Sequence, residues 1–168
     1  ERVHPCLVSK NSYIGGINGI LNAIVIDGIP VGKTVLQGEG AGPGPTTSAL
    51  ISDLCSILKG DIKYPFGVSH SLRKKINKFD LSVRVCSSYL RIEVKDKPGV
   101  LSSITKIFSK NKISIKNLIQ IPDKKKRRAS IVIITHKTLE NNYKNLLVNL
   151  AKNKFVLSKP TFIRVEKI

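Results

Sequence analysis

Residues 38–46, Gly-Glu-Gly-Ala-Gly-Pro-Gly-Pro-Thr, place a glycine at every second position up to Gly44 and interleave Pro43 and Pro45, just ahead of a run with helical periodicity. Glycine admits positive φ and lets another molecule approach the backbone closely. A helix beginning beyond it offers unpaired N–H groups and the positive end of a dipole. That chemistry suits a nucleotide or a phosphate. A plain strand-to-helix corner uses the same residues, so the segment alone leaves both readings open. A second chemistry-bearing stretch is Asp96-Lys-Pro-Gly99, a turn that leads into another apolar stripe. Pro98 lacks the N–H that a helix start would leave orphaned, and Asp96 is a candidate cap for that helix.

Positioning these stretches requires a definite set of elements. Val3–Val8 reads as a short strand. Gly19–Ile26 is apolar and ends at Asp27-Gly28, a hairpin turn signal, with Val31–Gln37 as the returning strand. The glycine segment leaves that second strand. Thr46 or Thr47 can cap a helix over Ser48–Lys59, whose apolar residues Leu50, Ile51, Leu54, Ile57 and Leu58 follow one stripe, and Gly60 suits its stop. Beyond residue 80 the pattern becomes strand (Tyr89–Val94), helix (Val100, Leu101, Ile104, Ile107 and Phe108 on one face), strand (Ile113–Ile121), strand (Ala129–Thr135), helix (Leu139–Asn153, with Leu146, Leu147, Leu150 and Ala151 inward) and strand (Phe162–Glu166). The order βαββαβ predicts a ferredoxin-like split sheet with both helices on one face. The first half, standing alone, would leave sheet surface uncovered; it reads as the tail of a larger domain or as a dimerising one.

The 168 residues allow one or two domains. Before residue 60 Gly and Pro are frequent and charge is sparse; afterwards Lys is frequent and Gly rare. The junction carries breakers and a polar, basic stretch. The expected domains are 1–62, a linker at 63–86, and 87–168. The net charge of +18 raises nucleic acid as a partner. Against it, 22 of the 29 basic residues are lysine, spread along the whole length apart from Lys124–Arg128, and no aromatic interleaving suited to base stacking occurs. No apolar run is long enough to span a bilayer, and no signal peptide opens the chain, so a cytoplasmic location is expected. Cys6, Cys55 and Cys86 lie far apart without a CxxC pair, which fits a reducing compartment and predicts neither a disulfide framework nor a metal site. The chain begins at Glu1 and contains no methionine, the pattern of a fragment.

Three stretches in this order resemble the C-terminal part of bacterial homoserine dehydrogenases. They are Arg2-Val-His-Pro-Cys-Leu-Val8 with Asn18-Gly-Ile-Leu-Asn-Ala23; Val31-Gly32 with Gly38-Glu-Gly-Ala-Gly42 and Pro45-Thr-Thr-Ser-Ala49; and Tyr89-Leu-Arg91 with Asp96-Lys-Pro-Gly-Val-Leu101, similar to the opening of an ACT domain. The resemblance implies an α+β chain: the incomplete mixed-sheet end of a catalytic and dimerisation domain, then an ACT domain. It implies an enzyme that reduces aspartate 4-semialdehyde to homoserine with NADPH or NADH, on the route to threonine and methionine. The family's Rossmann GxGxxG and proton-transferring lysine do not occur in this sequence, so no catalytic residue is assigned and the chain alone should lack dehydrogenase activity. By resemblance, Gly40, Ala41, Gly42 and Thr46 form a wall near the nicotinamide end of the cofactor. Glu39 reads as solvated rather than catalytic, and His4, which could approach the active site, reads more readily as structural because a lone His before Pro more often is. The ACT half implies an amino-acid effector, threonine by analogy, at a seam between neighbouring ACT domains of a homodimer or higher oligomer. Asp96, Pro98, Gly99, Val100 and Asn117 are its expected contacts.

Two other readings separate from this one. A stand-alone ACT-type amino-acid-binding regulator would have no use for the glycine segment and its hairpin. A nucleic-acid platform on the split sheet would need exposed aromatics on its central strands, where Ile131–Ile134 offers aliphatics. Neither nucleic acid nor membrane is therefore expected as a partner.

Overall fold

A computed structural model describes residues 3–61, 64, 67–74, 77–123 and 127–167. Arg2, residue 62 at the end of the first expected domain, residues 63, 65, 66, 75 and 76 of the expected linker, and the lysines 124–126 of the basic cluster lie outside the described residues. In chain order the elements are β1 (Cys6–Leu7), β2 (Leu21–Gly28), β3 (Gly32–Glu39), α1 (Pro43–Leu58), β4 (Val85–Lys95), α2 (Val100–Lys110), β5 (Ile115–Asp123), β6 (Arg128–Thr135), β7 (Thr138–Leu139), α3 (Glu140–Ala151) and β8 (Thr161–Val165). The chain forms two compact units, one of residues 3–9 with 79–167 and one of residues 10–78.

In the first unit β4 decides the architecture. Its residues alternate, so Cys86, Ser88, Leu90, Ile92 and Val94 all point to one buried face. It runs antiparallel to β6 on one side and to β8 on the other, and β5 closes the far edge antiparallel to β6. The order β8-β4-β6-β5 is the expected βαββαβ sheet. Val100, Ile104 and Phe108 of α2 repeat at helical spacing and bury onto that face. From α3 the buried apolar residues are Tyr143, Leu146 and Leu150; Leu147 is only partly buried and Ala151 is exposed. The inward stripe therefore starts a turn earlier than the leucines alone suggest, because Tyr143 sits one turn before Leu146 and Leu147 on the same side. Each of these fully buried side chains contributes about 1.5–3 kcal/mol of transfer free energy.

Two short strands extend this sheet. β7 pairs with the start of β4. β1, in place of a strand over Val3–Val8, is limited to Cys6–Leu7 and lies parallel to β8, with Glu166 N–H donating to Leu7 O at 2.9 Å. Residues 3–9 thus join the sheet of the second half, whereas the sequence groups them with the first.

In the unit of residues 10–78, β2 and β3 form a hairpin from Leu21↔Glu39 to Gly28↔Gly32. Asp27 and Gly28 do not turn the chain. They pair with Lys33 and Gly32, and the turn is Ile29–Val31, around the cis Ile29–Pro30 bond. Proline cannot donate to a ladder, so the reversal falls on it instead of on Asp-Gly. α1 begins at Pro43, not Ser48, with Gly42 as N-cap at φ 116°. Proline costs nothing in a first turn whose N–H groups have no intrahelical partner, so the two prolines open the helix rather than precede it. Gly60, at φ 70°, ends it after Lys59. No α1 residue is buried, and Leu50, Ile51, Leu54, Ile57 and Leu58 are each at least half exposed.

Candidate functional site

The glycine corner is built by the hairpin and α1. Gly38 and Glu39 are the last residues of β3, and the ladder continues one step further through Gly40 N–H to Ile20 O at 2.9 Å. Ala41 is exposed and Gly42 turns the chain at a φ that L side chains rarely adopt. No side chain caps α1 and no acidic residue sits in its first turn. Thr46 is therefore not the cap the sequence suggests. It lies inside the first turn, where its hydroxyl donates to Gly42 O at 2.8 Å. Beside the corner a shallow concavity of about 250 Å³ is bordered by Asn22, Ile24, Leu36, Gly38, Glu39 and Gly40. The arrangement presents bare backbone and an uncapped helix start, both open to an anionic or flat ligand. His4, in the other unit, donates from Nδ1 to Pro5 O at 3.0 Å.

The second predicted site is the turn between β4 and α2. Gly99 is the N-cap of α2, in the left-handed region at φ 82°, and no side chain caps the helix. Asp96 is thus not a helix cap. Its backbone N–H donates to Arg127 O at 3.1 Å, and the residue is exposed. Pro98 and Gly99 are exposed beside it, whereas Val100 turns inward and is 4% exposed. Asn117 does not join them within one chain. It pairs with Ile134, opposite Tyr89, while the Asp96 turn follows the Lys95–Arg128 pair. Six residues of extended strand separate those rows, about 20 Å at 3.4 Å per residue. A cavity of about 220 Å³ near Ser87, Lys116, Thr135, Lys137 and Glu166 contains none of the predicted site residues.

Composition and spacing gave almost no hint of the polar groups packed under α3. Glu140, 3% exposed, accepts from Arg164 Nε at 3.2 Å and from its terminal nitrogen. Arg84 donates to Glu166 Oε2 at 2.6 Å, and that hydrogen bond raises the guanidinium pKa. Tyr143 OH lies 2.5 Å from Thr135 Oγ1 and donates to Cys86 O at 3.2 Å, while Thr135 Oγ1 accepts from Ser88 N–H at 3.0 Å. Burial pushes the Tyr143 phenol up, opposed by its hydrogen bond to Thr135. Burial pushes the Cys86 thiol up as well. The one sequence signal was Glu140 at a helix start, where a carboxylate suits the dipole. Asn22, which borders the concavity beside the glycine corner, is the other residue without a sequence signal. Among the described residues no three His, Cys, Asp or Glu side chains gather as a metal site, and no helix is long and apolar enough to cross a membrane.

Two family patterns match the chain: homoserine dehydrogenase over residues 1–55 and ACT domain over residues 88–152. The homoserine dehydrogenase of Helicobacter pylori (strain ATCC 700392 / 26695) is 35% identical across 98% of this chain and 39% of its own length. That of Pseudomonas aeruginosa (strain PAO1) is 31% identical across 99% of this chain and 40% of its own length. The crystal structure of a homoserine dehydrogenase from Thiobacillus denitrificans superposes with a TM-score of 0.81 at 30% identity, over 99% of this chain and 38% of that one. The chain spans about two-fifths of the length of the relatives it matches.

Proposed function

Because the chain belongs with the homoserine dehydrogenases, as their C-terminal part, we propose that it works within an enzyme that interconverts aspartate 4-semialdehyde and homoserine with NADPH or NADH. The likeness to a homoserine dehydrogenase structure along nearly the whole chain carries this reading. Residues 1–62 then finish the catalytic and dimerisation domain, 63–86 link, and 87–168 form the ACT domain, with β1 lent to its sheet. The cofactor supplies hydride to the aldehyde carbon. This chain supplies one wall for it: Gly40 and Ala41 as open backbone, Gly42 as the corner, and Thr46 tying the first turn of α1 to that corner. The fit rests on the uncapped α1 start and the exposed backbone at Ala41 and Gly42.

The ACT half responds to an amino acid, threonine in this reading. Its carboxylate meets the uncapped start of α2 at Gly99 and Val100, its ammonium group meets Asp96, and Pro98 holds the turn. Asn117, some 20 Å away within one chain, contributes from a second copy across an ACT–ACT seam, so the working form is a homodimer or larger. The enzyme acts in the cytoplasm, on the route to threonine and methionine. The test assays the complete enzyme for homoserine-dependent reduction of NADP and NAD, with and without threonine. Activity that threonine lowers is expected. Failure with both cofactors would refute the catalytic reading, and a dimer giving no calorimetric heat with millimolar threonine would refute the effector.

A further inference from the structure

Gly38 and Gly40 lie two residues apart, so they leave the same face of the strand bare. Asn22 is the cross-strand partner of Gly38, which puts its side chain on that face and diagonally across from Gly40. A Cβ built on Gly40 would collide with Asn22 Nδ2 and Cγ and stand 3.1 Å from Oδ1. At Gly38 a Cβ would meet nothing within 4 Å. Gly40 is also not among the glycines held at positive φ. Neither its own backbone conformation nor the fold's core therefore requires glycine at 40. The carboxamide of Asn22 does, because it takes the space where a side chain would stand.

We infer that Asn22 is a positioning residue of the cofactor wall, and that Gly40 is glycine to seat Asn22 rather than to admit the ligand directly. This rests on the cofactor reading of the corner given above. Seated against Gly40, Asn22 fixes the path of residues 40–42 as they leave the hairpin, which is where the wall would meet the nicotinamide end. A side chain at 40 displaces the carboxamide and carries that backbone with it.

The test is a double-mutant cycle in the complete enzyme, since two groups in direct contact give non-additive effects. Gly40→Ala should raise the cofactor KM about tenfold with the substrate KM unchanged, and lower Tm by about 3 °C. In an Asn22→Ala background the same Gly40→Ala change should alter the cofactor KM by less than about twofold and leave Tm unchanged, because nothing remains to collide with. If the full KM penalty persists in the Asn22→Ala background, the ligand itself demands glycine and the inference is overturned. If Gly40→Ala is silent with Asn22 present, it is overturned as well. Absence of nicotinamide-dependent activity in the wild-type enzyme would sink the cofactor reading instead. The melting cycle needs no cofactor and still decides whether Asn22 and Gly40 are coupled.

Discussion

Tyr143→Phe removes one oxygen from the interior of the ACT unit and leaves the ring in place. The ring is 1% exposed and packs against Phe162 with centroids 5.2 Å apart, so no apolar contact is lost. What disappears is a hydroxyl that serves Thr135 Oγ1 and Cys86 O. Thr135 keeps the Ser88 N–H as a partner, but Cys86 O loses a buried donor. One imperfectly replaced buried hydrogen bond costs about 1–2 kcal/mol. In a unit of this size that lowers Tm by about 5–15 °C, read by thermal denaturation followed by circular dichroism. The loss should also depend on pH. Burial holds the phenol above its ordinary pKa, so the folded state disfavours the tyrosinate. The stability this group contributes is complete below its unfolded pKa and disappears as pH rises through the higher folded value. The wild-type chain should therefore lose stability in strongly alkaline solution more steeply than the Phe variant. An unchanged Tm at neutral pH, or parallel alkaline profiles for the two proteins, would refute the assignment of this hydroxyl as a satisfied buried group.

Gly99→Ala forces a Cβ into the left-handed region at the α2 cap and should cost about 1–2 kcal/mol in denaturant unfolding, whatever the effector does. Asp96→Asn should abolish the calorimetric signal for threonine without changing Tm by more than about 2 °C, because the exposed carboxylate does not cap α2. Cys6 and Cys55 are exposed and Cys86 is buried with its thiol pKa raised, so a thiol reagent should titrate two cysteines quickly and the third only on unfolding. Rapid modification of all three would contradict the core placement of Cys86.

The ACT unit was legible because its elements are amphipathic on their own account. The alternation through Tyr89–Val94 and the stripe Val100, Ile104, Phe108 are local patterns that tertiary context reinforces. The first half was less so. The sequence signals at Asp27-Gly28 and Thr46 are sound statistically, but Pro30 and Pro43 each moved a boundary by a few residues. The position of β1 could not be read at all, since a two-residue strand carries no period and its partner is more than 150 residues away. The same holds for the site. Gly42 and Gly99 announce themselves as turn glycines, whereas the reason for Gly40 lies on the opposite strand of a hairpin. The distance between Asp96 and Asn117 depends on which strands are neighbours, which composition does not encode.

The seat of β1 beside β8 changes what kind of object residues 10–78 are. They are spliced into the ACT unit, leaving it after one strand of its sheet and re-entering before another, in the manner of an inserted domain with two tethers. The entropy of closing such a loop grows only slowly, about 0.6 kcal/mol for each doubling of its length, so the insertion can be long at little cost. Severing either tether would leave the other intact, and after a nick ahead of Phe79 β1 would be held to this sheet by strand pairing alone.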